Sequence, residues 1–392
     1  MKNITLISVK EIIYFNNSAT SYPKPTQVIK TITEFLCAIP CQTDRGDFKS
    51  NSGDIIFETR KLIANFIHSP QHQNIIFTSG ATEALNLAIF GIDYNQSHII
   101  TSSTEHNSVL RPLKTLEKEN KIRLTIIPCD ENGFVNPEDI ESEIKSDTKV
   151  IIINHCSNVT GTVQDIKKIS EIAHKNNCLF IVDASQSIGA IEIDVIENDI
   201  DILCFTGHKN LFGLQGIGGL YIKDGLRLKP LKVGGTGVRS DYLFQPENIP
   251  MYYEAGTPNV IGILSMKIGL DFILFTGIEK IANKKNKLYE RLICGLEKFP
   301  EIILYGVNKK NTHLSVLAFN IKNVSPADVS YILQHSFNII TRSGLHCAPL
   351  IHQDIKSMPE GNVRVSLSYF NTFEEIDIFI ATIKQIISEL NK

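Results

Sequence analysis

Apolar residues along this chain follow two rhythms that take turns. From about residue 74, short β-branched runs (NIIFT, HIITSS, RLTIIP, KVIIINH, LFIVDAS, DILCFTG, GGLYIK) are separated by stretches with helical spacing, such as ATEALNLAIFG, NSVLRPLKTLEKE and QDIKKISEIAHKNN. Strands that alternate with amphipathic helices predict the α/β class, a mostly parallel sheet between helices. Thr82 with Glu83 marks one helix start, and Pro137 marks another, where a missing N–H is harmless. After about residue 262 the order changes to a long amphipathic helix (IEKIANKKNKLYERLICGLEKF), a strand (HLSVLAFNI), a helix after Ser325-Pro326, a strand (NVRVSLSY) and a final helix (FEEIDIFIATIKQIISEL). This predicts a smaller α+β domain. The expected division is a large domain over 17–261 and a smaller one from 1–16 and 262–392, with no Pro/Gly-rich linker between them.

A length of 392 residues suits two domains, and 43% hydrophobic with 21% charged residues suits an ordinary folded protein. Thirty-nine Lys and Arg stand against 42 Asp and Glu, for a net charge of -3, so neither nucleic acid nor an anionic membrane is an expected partner. No apolar run approaches the roughly 18 residues of a membrane span. The opening MKNITLISVKEIIYF lacks the uninterrupted apolar stretch of a secretory signal. Eight cysteines scattered through a long chain point to a reducing cytoplasm. Cys37 and Cys41 form the only close pair, and without a second Cys or His pair no metal site is expected.

Candidate chemistry sits at strand ends. In TGHKNLFGLQGIGG, Lys209 follows an apolar strand and precedes a glycine-rich turn, a place from which an amine can reach a cofactor aldehyde; a surface loop lysine is the plainer reading. Asp183 ends the run IVDAS, 26 residues earlier, where it could pair with a pyridinium nitrogen or cap a helix. Gly80, Ala81 and Thr82 lie at a strand-to-helix junction, which makes either a phosphate site or simple punctuation. His106 and Asn158 also stand at strand ends; His106 could stack on a ring, move protons or cap a helix. Ligands of open α/β sheets bind beyond the carboxyl ends of the strands, so these five places point to one pocket. Cys347, in TRSGLHCAPLIHQ, is either a nucleophile whose thiolate is favoured by His346 or Arg342, or a buried structural cysteine. Arg364 and Arg342 are candidates for a forked grip on a substrate carboxylate.

Taken in order, NNSATSYPKP, SGATEALN, EHNS, HCSNVTGTVQD, VDASQS, TGHK, EAGTPN, RSGLHCAP and NVRVSLSYFNTFEEID resemble the fold-type I pyridoxal-phosphate enzymes. Within these they resemble the class V aminotransferase group and its cysteine desulfurase and selenocysteine lyase family. The resemblance implies that Lys209 is the Schiff-base lysine, that Asp183 partners the pyridine nitrogen, that Gln186 donates to the ring hydroxyl and that His106 stacks over the ring. Ala81, Thr82, Thr206 and His208 would hold the phosphate, with Asn158 beside cofactor and substrate. Gly256 and Thr257 would reach the phosphate in a neighbouring subunit, which implies a homodimer. Arg364 would take the substrate carboxylate and Cys347 would carry a persulfide. The short RSGLHCAP loop resembles the SufS-like branch. Leu214 stands where the family commonly has proline, and the stretch from Lys232 to Glu254 is not a close match.

The activity so implied is conversion of L-cysteine to L-alanine with sulfur passed to Cys347, from which a protein acceptor could take it. Selenocysteine lyase, another class V aminotransferase or lyase reaction, and a non-catalytic sulfur carrier or scaffold are the alternatives.

Overall fold

The structure is a computed structural model that describes residues 12–38, 52–237, 241–307 and 313–390. Cys41 and the first eleven residues of the expected smaller domain lie outside the described residues.

Seven strands form the large sheet, in the spatial order Ile75–Thr78, Gly218–Ile222, Ile202–Thr206, Leu179–Asp183, Thr148–Asn154, His98–Ser102 and Arg123–Ile127. All pairings are parallel except those of Gly218–Ile222, which runs antiparallel to both neighbours. Strand side chains alternate between faces, so Ile151, Ile153, Phe180 and Val182 enter one core while Val150, Ile152 and Ile181 enter the other. Each such fully buried side chain contributes about 1.5–3 kcal/mol. Apolar residues at every position are therefore what a sheet covered on both faces requires.

The smaller domain holds an antiparallel sheet in the order Arg342–Gly344, Asn362–Ser366, Val316–Ile321, Ile302–Tyr305. Helices Ile278–Leu296, Pro326–Phe337 and Phe373–Leu390 share its core. Ile13–Tyr14 pairs in parallel with Ile339–Ile340, so the chain leaves this domain to enter the large one.

Helix Val260–Thr276 departs from the expected division at 262. Its Ile263, Met266, Leu270 and Ile273 are buried in the core of the large sheet. The physical reason is that VIGILSMKIGLDFILFT is apolar on most of its surface, so most of it needs cover, and only Leu274 and Phe275 among its large apolar residues stand exposed. Gly269 permits the contact, since a Cβ there would stand 2.0 Å from the Leu211 carbonyl oxygen. Helices Thr26–Cys37 and Ser52–Phe66 pack against the same helix and precede the stretch in which the strand-helix rhythm is regular.

Candidate active site

Strands Thr148–Asn154, Leu179–Asp183 and Ile202–Thr206 end at a cavity of about 360 Å3 whose opposite wall is the smaller domain's Arg342, His346 and Arg364. Ala81, Thr82, His106, Asn158, Asp183 and Gln186 line it, and so do Thr206, His208 and Lys209. Five separated stretches thus meet in one place, as the strand-end argument requires.

Lys209 opens onto the cavity and is otherwise enclosed by protein. Burial brings its amine down to about 8, the nearby Asp183 carboxylate works in the opposite direction, and Arg364 and Arg342 lower it further. Asp183 Oδ1 accepts from the Ser185 N–H at 2.9 Å and from the Ser185 hydroxyl. It closes a turn and caps no helix. Gln186 donates from Nε2 to the Ser18 carbonyl at 3.0 Å.

His106 is both a cap and a cavity residue. Its Nδ1 accepts from Ser108 N–H at 3.0 Å at the start of helix Asn107–Lys118, which leaves the ring proton on Nε2. Burial, then the Lys209 charge, lower it to about 4, so the ring is neutral. Ser108 Oγ lies 2.9 Å from Thr82 Oγ1, which joins this helix start to the next.

Helix Ala81–Phe90 begins at Gly80 without a side-chain cap, so its first amides face the cavity free to meet an anion. Gly218 makes the approach close: a Cβ on it would lie 2.5 Å from the Phe205 carbonyl oxygen and 2.7 Å from Gly80 Cα. Thr206 and His208 stand on the same side of the cavity lining, and His208 Nδ1 is buried without a partner. Asn158 Oδ1, His346 Nδ1 and Arg364 Nε are likewise buried and unpartnered. Such atoms in a cavity wall are groups that a polar ligand satisfies. An amine, a carboxylate, an uncapped helix start and unmet donors together fit an aldehyde-bearing, phosphorylated, ring-nitrogen cofactor such as pyridoxal phosphate.

Arg364 and Arg342 are direct partners across antiparallel strands. Arg364 is 1% exposed and donates from Nη1 to Asn158 O and from Nη2 to Asn16 Oδ1, both at 2.9 Å. Arg342 lines the cavity too, and its Nη2 donates to Cys347 Sγ at 3.2 Å. Both arginines of the expected grip thus stand in the cavity wall, and Arg342 also reaches the sulfur.

Cys347 is not itself among the lining residues but touches one of them, Arg342, and follows another, His346. The other positive neighbour expected for it, His346, supplies no charge. His346 is buried, and burial, then Arg364, push it well below the usual histidine range, so it is neutral. Its Nε2 is anchored 2.9 Å from Asn362 Oδ1. Both His346 (φ 50°) and Cys347 (φ 60°) take the left-handed conformation. Asn158 Nδ2 donates to His346 O, and the first helical amide, Asn107 N–H, donates to Cys347 O, each at 2.7 Å. These bonds hold a backbone shape that costs on the order of 1–3 kcal/mol per residue.

Gly256 and Thr257 do not line the cavity. They are exposed and border a separate depression of about 160 Å3 that shares Ser79, Glu83 and Gly216 with it. Leu214 N–H donates to Ser265 Oγ at 2.8 Å, a bond that proline at this position would forfeit.

Sequence reading passed over Glu105, whose fully buried carboxyl accepts from Ser102 Oγ and Asn154 N–H. Burial raises it to about 8. Its only sequence signal was adjacency to His106.

The Aminotransferase class-V family model matches residues 13–379. A probable cysteine desulfurase of Pyrococcus abyssi is 32% identical over 391 residues, covering 97% of this chain and 96% of that protein. Another, of Methanothermobacter thermautotrophicus, is 33% identical over 386 residues, covering 96% and 95%. Among solved structures, the apo cysteine desulfurase of Thermococcus onnurineus NA1 superposes with a TM-score of 0.90 at 30% identity, over 99% of this chain and 100% of that one. A cavity of this composition, in a chain matched over nearly its whole length, places the protein in the class-V aminotransferase family, among the cysteine desulfurases.

Proposed function

We propose that the protein is a pyridoxal-phosphate-dependent cysteine desulfurase that converts L-cysteine to L-alanine and receives the sulfur on Cys347. The observation that carries this reading is the Arg342–Cys347 contact at the rim of the cavity that Lys209 and Asp183 share. Transamination needs no thiol there, whereas sulfur abstraction does.

Lys209 would carry the cofactor, Asp183 would face its ring nitrogen, Gln186 its ring hydroxyl and His106 its ring. Ala81, Thr82, Thr206 and His208 would hold its phosphate. When bound, pyridoxal phosphate supplies the electron sink that labilises bonds at the substrate's α-carbon. Arg364 binds the substrate carboxylate, for which a buried cation without a counter-ion among the described residues is suited. The Lys209 amine takes up and returns the proton at the α-carbon, since a value near 8 keeps both its forms accessible at neutral pH. The Cys347 thiolate, held by Arg342, attacks the substrate sulfur. An S–S bond forms, the Cβ–S bond breaks with its electron pair left on the carbon side, and a proton then reaches that carbon to give alanine and a persulfide on Cys347.

Gly256 and Thr257 would complete the cavity of a second copy in a homodimer; their exposure beside, and not within, their own cavity supports this. The test is alanine formation from L-cysteine and from L-selenocysteine by wild type and Cys347→Ala, both first shown to carry the visible cofactor absorbance. Alanine from cysteine in wild type alone supports the reading; cysteine turnover that persists in the variant sinks it, and turnover of selenocysteine alone makes the protein a lyase.

A further inference from the structure

The segment Asn16–Lys24 has no role in the reaction described above, yet it is bonded to three groups that do. At one end Asn16 Oδ1 accepts from Arg364 Nη2 at 2.9 Å. In the middle the Ser18 carbonyl accepts from Gln186 Nε2 at 3.0 Å, and Ser18 N–H donates to Ser366 Oγ at 2.9 Å, two residues beyond Arg364 on its strand. At the other end four donors converge on the His208 carbonyl: Ser21 N–H at 3.1 Å, Thr20 Oγ1 and Ser21 Oγ at 3.2 Å, and Lys24 Nζ at 2.9 Å. A carbonyl oxygen has two lone pairs, so four donors are an unusual concentration on one peptide group. That peptide is the one that leads into Lys209.

Lys24 is not placed there by a carboxylate. Its bonds go to the His208 carbonyl and to Ser21 Oγ at 2.8 Å, and burial brings its amine down to about 8. Packing alone does not call for a partly buried cation, which a methionine of similar length would replace at a lower desolvation cost. The ammonium is explained by the carbonyl it holds.

We propose that Asn16–Lys24 is a positioning strap: Asn16 sets the aim of the Arg364 guanidinium, and Lys24 with Thr20 and Ser21 fixes the peptide from which Lys209 projects. The carboxylate-binding group of one domain and the cofactor-bearing amine of the other are thereby kept at one spacing. This rests on the roles given to Arg364 and Lys209 under the proposed function.

The two ends are separable by experiment. Asn16→Ala is expected to raise KM for L-cysteine about fivefold to tenfold while binding of pyridoxal phosphate to the cofactor-free protein, followed by visible absorbance, changes less than about twofold. Lys24→Met is expected to weaken cofactor binding in the same titration by about tenfold, and Lys24→Arg, which restores a cation with N–H donors, to recover most of it. Should Lys24→Met not fold, Thr20→Val removes one hydroxyl from the same carbonyl at nearly constant shape, with an expected loss of about threefold in cofactor binding. Equal losses in both readouts from both ends, or no loss in either, overturn the strap. Failure of the unmodified protein to form alanine from cysteine would sink the desulfurase reading instead, and the cofactor titration of the Lys24 variants, which uses no substrate, would still decide its own end.

Discussion

Replacing Arg364 by methionine should remove activity without weakening the fold. The guanidinium is 1% exposed, no carboxylate pairs with it among the described residues, and Arg342 stands directly across the strand pair. Burial, then the Arg342 charge, lower it from the ordinary arginine range to about 9. At 1.36 kcal/mol per unit this is roughly 5 kcal/mol against the charged form in the folded state. By linkage, a cation whose folded value is depressed destabilises the fold in full below pH 9, and the penalty fades only as pH rises from there toward the ordinary arginine value. Methionine removes that penalty and leaves the Asn158 carbonyl and Asn16 Oδ1 without their donors, at about 1–3 kcal/mol for the buried one and less for half-buried Asn16. The balance favours the variant by about 2 kcal/mol. Its cofactor-free form should therefore unfold at a midpoint equal to or above that of wild type. Loss of a charge-assisted grip contributing about 1.5–3 kcal/mol should lower kcat/KM for L-cysteine by at least about tenfold. An earlier unfolding midpoint, or a kcat/KM within about threefold of wild type, would refute the reasoning.

Three further outcomes follow from the same geometry. Uptake of pyridoxal phosphate by the cofactor-free protein needs the neutral Lys209 amine, so its rate should climb with pH and level off above about 8; a profile flat across that value would count against the assignment. His106→Ala should cost about 1 kcal/mol of stability through the lost cap, whereas His106→Asn should keep stability and lose activity all the same, as denaturant titration and turnover would show. Gly218→Ala should lower both the unfolding midpoint and, by about tenfold or more, the affinity for pyridoxal phosphate, because the added methyl collides with Phe205 O and Gly80 Cα where the helix starts; unchanged affinity would remove Gly80 and the helix start from the phosphate site.

The large sheet was legible because its central strands are buried on both faces and so carry long apolar runs, which makes KVIIINH hard to mistake. The site was legible for a related reason: polar residues that end such runs, Asp183 and Lys209 among them, have no place to go but the cavity. What could not be read were quantities set by packing between distant segments. Helix Val260–Thr276 follows the last strand of the large sheet, and only its packing, with Ile263, Met266, Leu270 and Ile273 in the large core and Gly269 against Leu211, assigns it to the large domain. The charge next to Cys347 depended on how deeply His346 is buried, which its place beside the cysteine does not reveal. Asn158 was read as a residue beside the ligand, and its bond to the His346 carbonyl spans 188 residues.

The nucleophile's loop is pinned at both of its left-handed residues, by Asn158 at His346 O and by the Asn107 amide at Cys347 O. A sulfur atom loaded on such a loop has no tether of its own on which to travel. Under the proposed function, any acceptor thiol would have to come to this pinned loop beside Arg342.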